Sequence, residues 1–256
     1  MIGGVRVGNR ALLVRHVKNK RDDRLSRCLL ALGYELEWCC PANGDRLPRI
    51  DGRHQVAIVY GGAESANDCA DRPYIRREID WIARWVSLER PFLGICLGSQ
   101  LLARALGARV ELHPHGLAEV GYALVRPTVA APGCFDCSQP FYEWHTEGFE
   151  VPEHAELIAA GDIFPNQAFR FREHVYGLQF HPEVTPEIIF AWMGEAPEVL
   201  DHPGAHCRQR QVADLRRFDT RTKLWLQRFL SEWLGTGDAD GREKGRRAPQ
   251  AALFLR

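Results

Sequence analysis

The stretch PFLGICLGSQLLARALG, residues 91–107, decides how the rest of the chain is read. The stretch begins at Pro91 as a short apolar run of the kind that forms a buried strand and turns at Gly94 to Gly98. Gln100 to Leu106, closed by Gly107, has the spacing and the stop signal of a helix. Between them the chain must turn sharply, and Gly94 and Gly98, two positions either side of Cys96, supply the small residues that such an elbow needs. Cys96 is therefore expected at the mouth of a parallel sheet, above a helix N-terminus whose free N–H groups and dipole favour a thiolate.

A nucleophilic cysteine needs a base. YGLQFHPE, residues 176–183, alternates like a strand up to Phe180 and places His181 where Pro182 ends the ladder. Glu183, two residues on, is close enough to orient the imidazole. Nucleophile, base and orienter then follow in the chain order Cys96, His181, Glu183. An inert buried thiol, a strand-end histidine and a solvated carboxylate are the competing readings of the same three residues.

GICLGSQ at 94–100, His-Pro-Glu starting 85 positions after the cysteine and YGGAES at 60–65, in that order, resemble the class I (triad) glutamine amidotransferases. The resemblance spans roughly residues 10 to 195. It is nearest to stand-alone members similar to the glutaminase domain of GMP synthase, because GGAESAND at 61–68 and EWHTEGF at 143–149 also echo that subgroup. It implies a flavodoxin-like three-layer sandwich, with oxyanion donors from the backbone at Gly62 and Leu97. It also implies Gln100 and His145 as contacts for bound glutamine. The step from Ala63 to Glu64 departs from the proline common there in related enzymes.

The chain in order supports the α/β class. Residues 10–17, 34–39 and 54–60 read as strands, and Asp22 or Asp23 is placed to cap an intervening helix. Pro73 opens a helix with Ile75, Ile79, Ile82 and Val86 on one face, and Trp81 and Trp85 make a second stripe. Strands follow at 108–112, 118–125, 155–160, 167–171 and 175–180, and a helix at 186–193; between the second and third of these strands, 140–149 carries Trp144, His145, Thr146 and Glu147, where the resemblance implies a strand end. Val212, Leu215 and Phe218 form one short helix face, and Leu226, Phe229, Leu230 and Trp233 another, ending at Gly235. The alternation predicts a mostly parallel sheet covered on both faces, with the site at the carboxyl ends of its strands.

The 256 residues suit one substantial domain, 1–235, followed by a small, polar and glycine-rich tail, 236–256. Lys plus Arg and Asp plus Glu balance at 33 each, so no net field draws the chain to nucleic acid or to an anionic membrane. The start has no apolar signal region, and the eight cysteines read as reduced thiols of a cytoplasmic protein. His113, His115, Cys134 and Cys137 raise the question of a metal site, but a single CxxC without a matching second pair favours unpaired loop thiols, and no metal is expected.

The chemistry asks for no cofactor. The resemblance implies L-glutamine or another γ-glutamyl compound as substrate. Neither a P-loop nor a pyrophosphatase loop is visible, so a synthetase that uses the ammonia must be a separate chain. Two alternatives stand beside this reading: a free-standing γ-glutamyl peptidase or hydrolase acting on peptides or amines, and a non-catalytic regulatory or binding subunit that keeps the fold.

Overall fold

The computed structural model describes residues 9–17 and 22–235. The expected tail beyond Gly235 lies outside these residues. A nine-stranded sheet runs in the order β2-β1-β3-β4-β11-β10-β9-β6-β7. Its parallel half comprises β2 (Glu35–Cys39), β1 (Arg10–Val14), β3 (Val56–Val59), β4 (Phe92–Ile95) and β11 (Val175–Leu178). From β11 the sheet continues antiparallel through β10 (Ala168–Phe171), β9 (Ala155–Ala160), β6 (Glu119–Pro127) and β7 (Gln139–His145). A separate ribbon pairs β5 (Val110–Leu112) with β8 (Glu147–Phe149).

Period-2 alternation along the buried strands sorts side chains to two faces. Leu13, Ile58 and Leu93 pack against helix α1 (Arg24–Ala31) and the C-terminal helix, whereas Leu12, Val59 and Phe92 pack against α2 (Pro73–Ser87) and α3 (Leu97–Ala105). Both faces are covered at the centre of the parallel half, so β3 and β4 are apolar and buried throughout, whereas β2 at the edge carries Glu35 and Glu37. Asp23 caps α1, its carboxylate accepting from the Ser26 N–H at 2.8 Å; such a cap contributes about 1 kcal/mol. The Ile75, Ile79, Ile82 and Val86 face of α2 is buried as its spacing predicts. Trp81 and Trp85 stack at 5.0 Å, each indole N–H donating to a backbone carbonyl.

The C-terminal segment corrects the expectation of two short helices. Arg208–Trp233 is one continuous helix, α5. Its middle is polar, which breaks the apolar pattern in sequence. Those turns are nevertheless held, because Thr222 is buried and Asp219 pairs with Arg24 of α1. One end packs Leu215 against Tyr122, Tyr142 and helix α4 (Pro186–Glu195), and the other packs Trp225, Leu226 and Phe229 on the sheet. Among the described residues no helix is long and apolar enough to cross a membrane.

Candidate active site

Cys96 joins β4 directly to α3 and is the N-cap of that helix. Its backbone, at φ 49° and ψ −110°, lies where side-chain-bearing residues rarely go, and holding it there costs on the order of 1–3 kcal/mol. The flanking glycines make this geometry possible. A Cβ on Gly94 would lie 2.4 Å from the Gly98 carbonyl oxygen, and one on Gly98 would lie 2.0 Å from that of Val59. Strand and helix therefore approach at distances that exclude even alanine. The Leu97 N–H, at the first position of α3, has no carbonyl one turn back to bond.

His181 follows β11, its N–H donating to the Tyr142 carbonyl at 2.8 Å. Its Nδ1 is 2.8 Å from Glu183 Oε1, and both side chains are buried. Burial disfavours the charged imidazolium. The negative charge of Glu183, together with Cys96 as charge partner and hydrogen-bond partner, outweighs that and holds His181 well above the ordinary histidine range. The Trp192 ring stands edge-on against the imidazole at 4.9 Å. On another side Gly61 closes the contact: a Cβ there would lie 2.9 Å from His181 Cε1 and 3.4 Å from Cys96 Cβ. The structure thus brings Cys96, His181 and Glu183 together.

Gly61 and Gly62 follow β3. His16, just past β1, points Nδ1 at the Gly61 carbonyl at 3.3 Å and Nε2 at both oxygens of Glu78, at 3.1 and 3.2 Å. Burial works against protonation of His16, but Glu78, aided by Glu64 and the Gly61 carbonyl, raises its pKa to about 8. The C=O and N–H of a trans peptide point opposite ways. Fixing the Gly61 carbonyl on His16 therefore turns the Gly62 N–H away from His16. Gly62 packs tightly against Leu97, where an added Cβ would meet Cδ2 at 2.8 Å.

Gln100 and His145 lie behind the site, and neither lines the cavity at Cys96. The Gln100 amide donates to the Glu147 carbonyl at 3.0 Å and to Gln179 Oε1 at 3.3 Å, while Gln179 Nε2 is 3.7 Å from the Cys96 sulfur. His145 Nδ1 contacts the Glu147 carbonyl at 2.9 Å, and its Nε2 sits 3.2 Å from Glu119 and 3.3 Å from Glu143. Burial opposes its charge, yet the two carboxylates lift His145 to about 10. Burial in turn raises Glu143 to about 7. Among the described residues these three side chains are the group spaced closely enough to share a cation. The CxxC pair is split, Cys134 being buried and Cys137 exposed.

Sequence reasoning did not single out Arg15, His16, Asp23, Tyr60 or Glu78 as parts of the site. Asp23, besides capping α1, accepts from the Tyr60 hydroxyl at 3.1 Å. Burial, reinforced by the charge of Glu183, pushes its pKa up to about 6. Their signal lay only in position: Arg15, His16 and Tyr60 immediately follow the ends of adjacent parallel strands, where ligands of such sheets bind.

A mixed sheet whose parallel half sets a strained cysteine elbow beside a buried His–Glu pair defines the class: an α/β protein with its cavity at the carboxyl ends of the parallel strands. Residues 23–188 match the family model described as glutamine amidotransferase class-I. The chain belongs to that family. It is 30% identical over 211 residues to the glutamine amidotransferase-like protein YfeJ of Salmonella typhimurium, covering 78% of this chain and 87% of the relative. It is 26% identical to a Methanobrevibacter smithii protein named as one of the subunits of glutamine-hydrolyzing GMP synthase, over 69% and 89% of the two chains. The fold matches the crystal structure of a glutamine amidotransferase from Thermotoga maritima with a TM-score of 0.79, at 24% identity, covering 88% of this chain and 98% of that one.

Proposed function

We propose that the protein hydrolyses a γ-glutamyl amide, glutamine being the simplest, through a thioester on Cys96. The observation that carries this reading is the convergence of the Cys96 elbow on a His181–Glu183 pair held at 2.8 Å. The Cys96 sulfur attacks the γ-carbonyl carbon and its proton passes to His181. The oxyanion is stabilised by the Leu97 N–H, aligned with the helix dipole, and by the Gly62 N–H, whose orientation His16 fixes through the Gly61 carbonyl. His181 then protonates the departing nitrogen. In the second half-reaction it takes a proton from water, which cleaves the thioester and releases glutamate. Glu183 orients the ring throughout.

With glutamine the departing group is ammonia, which passes to a separate synthetase chain. The likeness to a relative named as part of a multi-chain synthase supports that arrangement. A chloromethyl ketone derived from glutamine should alkylate Cys96 in preference to the other seven cysteines, with glutamine protecting. Labelling of the exposed Cys137 or Cys207, with Cys96 untouched, would defeat this reading.

A further inference from the structure

Resting on this hydrolytic reading, we propose that the cavity beside Cys96 is a leaving-group site for a γ-glutamyl peptide. The residue after the glutamyl group is apolar or aromatic, and its free carboxylate is bound by Arg15. The cavity measures about 280 Å³ and contains Cys96, His181, Gly61 and Gly62 in its wall, so whatever departs as the thioester forms occupies or borders it. Trp38, Tyr60, Trp144 and Trp192 supply aromatic surface, with Val17 and Ile188 beside them. Ammonia makes no use of such a wall, whereas an aromatic or branched side chain gains both area burial and ring contacts there.

Charge separates a peptide from an amine. Aromatic walls with carboxylates nearby also suit a cation: Asp23 is engaged by Ser26 and Tyr60 and Glu183 Oε1 by His181, while Glu183 Oε2 has no hydrogen-bond partner among the described residues and Glu195 also lines the cavity. Arg15 is the group in that wall that answers an anion. Its guanidinium lies over the Trp38 ring at 5.3 Å, and its Nε and Nη1 are buried without a hydrogen-bond partner among the described residues. Two adjacent guanidinium donors with nothing to bind, stiffened by an aromatic face, are the fork that accepts a carboxylate. Arg15 directly follows β1, two strand positions from β4 and Cys96 in the sheet order, roughly 10 Å by strand spacing. A long arginine side chain and a short peptide together span that distance.

The chemistry balances without a further reactant. The Cys96 sulfur forms the acyl bond, the amide C–N bond breaks, and His181 transfers its proton to the released amino acid's nitrogen. Water then cleaves the thioester to glutamate.

The test compares γ-glutamyl-phenylalanine, γ-glutamyl-phenethylamide, which lacks only the second carboxylate, and glutamine on the wild-type protein and on Arg15→Gln. The wild type should favour the peptide over the phenethylamide in kcat/KM by about 10- to 100-fold, the value of one charged hydrogen-bonded pair. Arg15→Gln should erase that preference, chiefly by raising KM for the peptide, with a smaller change for the phenethylamide and glutamine. Arg15→Lys should restore part of it. A wild-type protein indifferent to the second carboxylate overturns the proposal. So does an Arg15→Gln loss equal for all three substrates, which would place Arg15 on the glutamyl group's own carboxylate. No turnover of any substrate, with Cys96 also resisting the glutamine-derived electrophile, overturns the hydrolytic reading itself and this site with it.

Discussion

Gly61→Ala tests the packing of the proposed triad while the fold stays intact. The new methyl carbon would stand 2.9 Å from His181 Cε1 and 3.4 Å from Cys96 Cβ. Carbon pairs settle at about 3.5–4.0 Å, so one partner must retreat by roughly 0.6–1 Å. The imidazole cannot slide freely, because Glu183 holds Nδ1 at 2.8 Å and Trp192 stands against the ring. A displacement of that size in a reacting group costs about 10²-fold in rate. We therefore expect kcat for glutamate release to fall by about 10²-fold while the protein stays folded, the crowding costing about 1–3 kcal/mol of stability; the Gly61 backbone itself is not left-handed and accepts alanine. Gly194→Ala in α4, where an added Cβ meets nothing within 4 Å, is the control. It should stabilise the helix by up to ~1 kcal/mol without a change in kcat. Thermal unfolding beside steady-state kinetics reads both quantities. Full activity in Gly61→Ala, or parallel loss of activity and fold, would refute the packing account.

Glu183→Gln keeps a hydrogen-bonding partner for His181 but removes the charge that holds the imidazole's pKa up against burial; kcat should drop roughly 10²–10⁴-fold with the fold intact, as circular dichroism would confirm. Cys96→Gly should unfold at the same temperature as Cys96→Ala or higher, reversing glycine's usual penalty of about 0.5–1 kcal/mol, because φ at 49° is the glycine region. His16 titrates at about 8 in the fold, against about 6.5 unfolded. The folded state therefore binds the extra proton between these values, so its stabilisation is complete below 6.5 and is lost as pH rises through 8. That loss, about 1.5 kcal/mol between pH 6.5 and 8.5, should be absent from denaturation curves of His16→Asn, whose kcat should also fall as the Gly61 carbonyl loses its anchor.

The elbow was legible in sequence because its requirement is local. Gly94 and Gly98 are small for steric reasons that a Cβ only 2.4 or 2.0 Å from backbone makes explicit. The His-Pro-Glu signal was legible because a proline marks where a strand stops. What depended on strand order was not. Glu119 and His145 meet only through the antiparallel register of β6 and β7, so the enclosure of His145 between two carboxylates is not visible in EWHTEGF, where the resemblance implies a glutamine contact. Arg15, His16 and Tyr60 look like ordinary strand-end residues until β1, β3 and β4 are laid side by side. The continuity of α5 was hidden by its polar middle, where an ion pair to α1 replaces apolar packing.

The most direct test of the central claim is glutamate release from glutamine and from γ-glutamyl-phenylalanine by the purified wild-type protein and by Cys96→Ala. The account predicts hydrolysis of at least one by the wild type and none by the variant. Equal release by both proteins would show that Cys96 is not the nucleophile; release by neither, with Cys96 inert to a glutamine-derived electrophile, would contradict γ-glutamyl chemistry at this site.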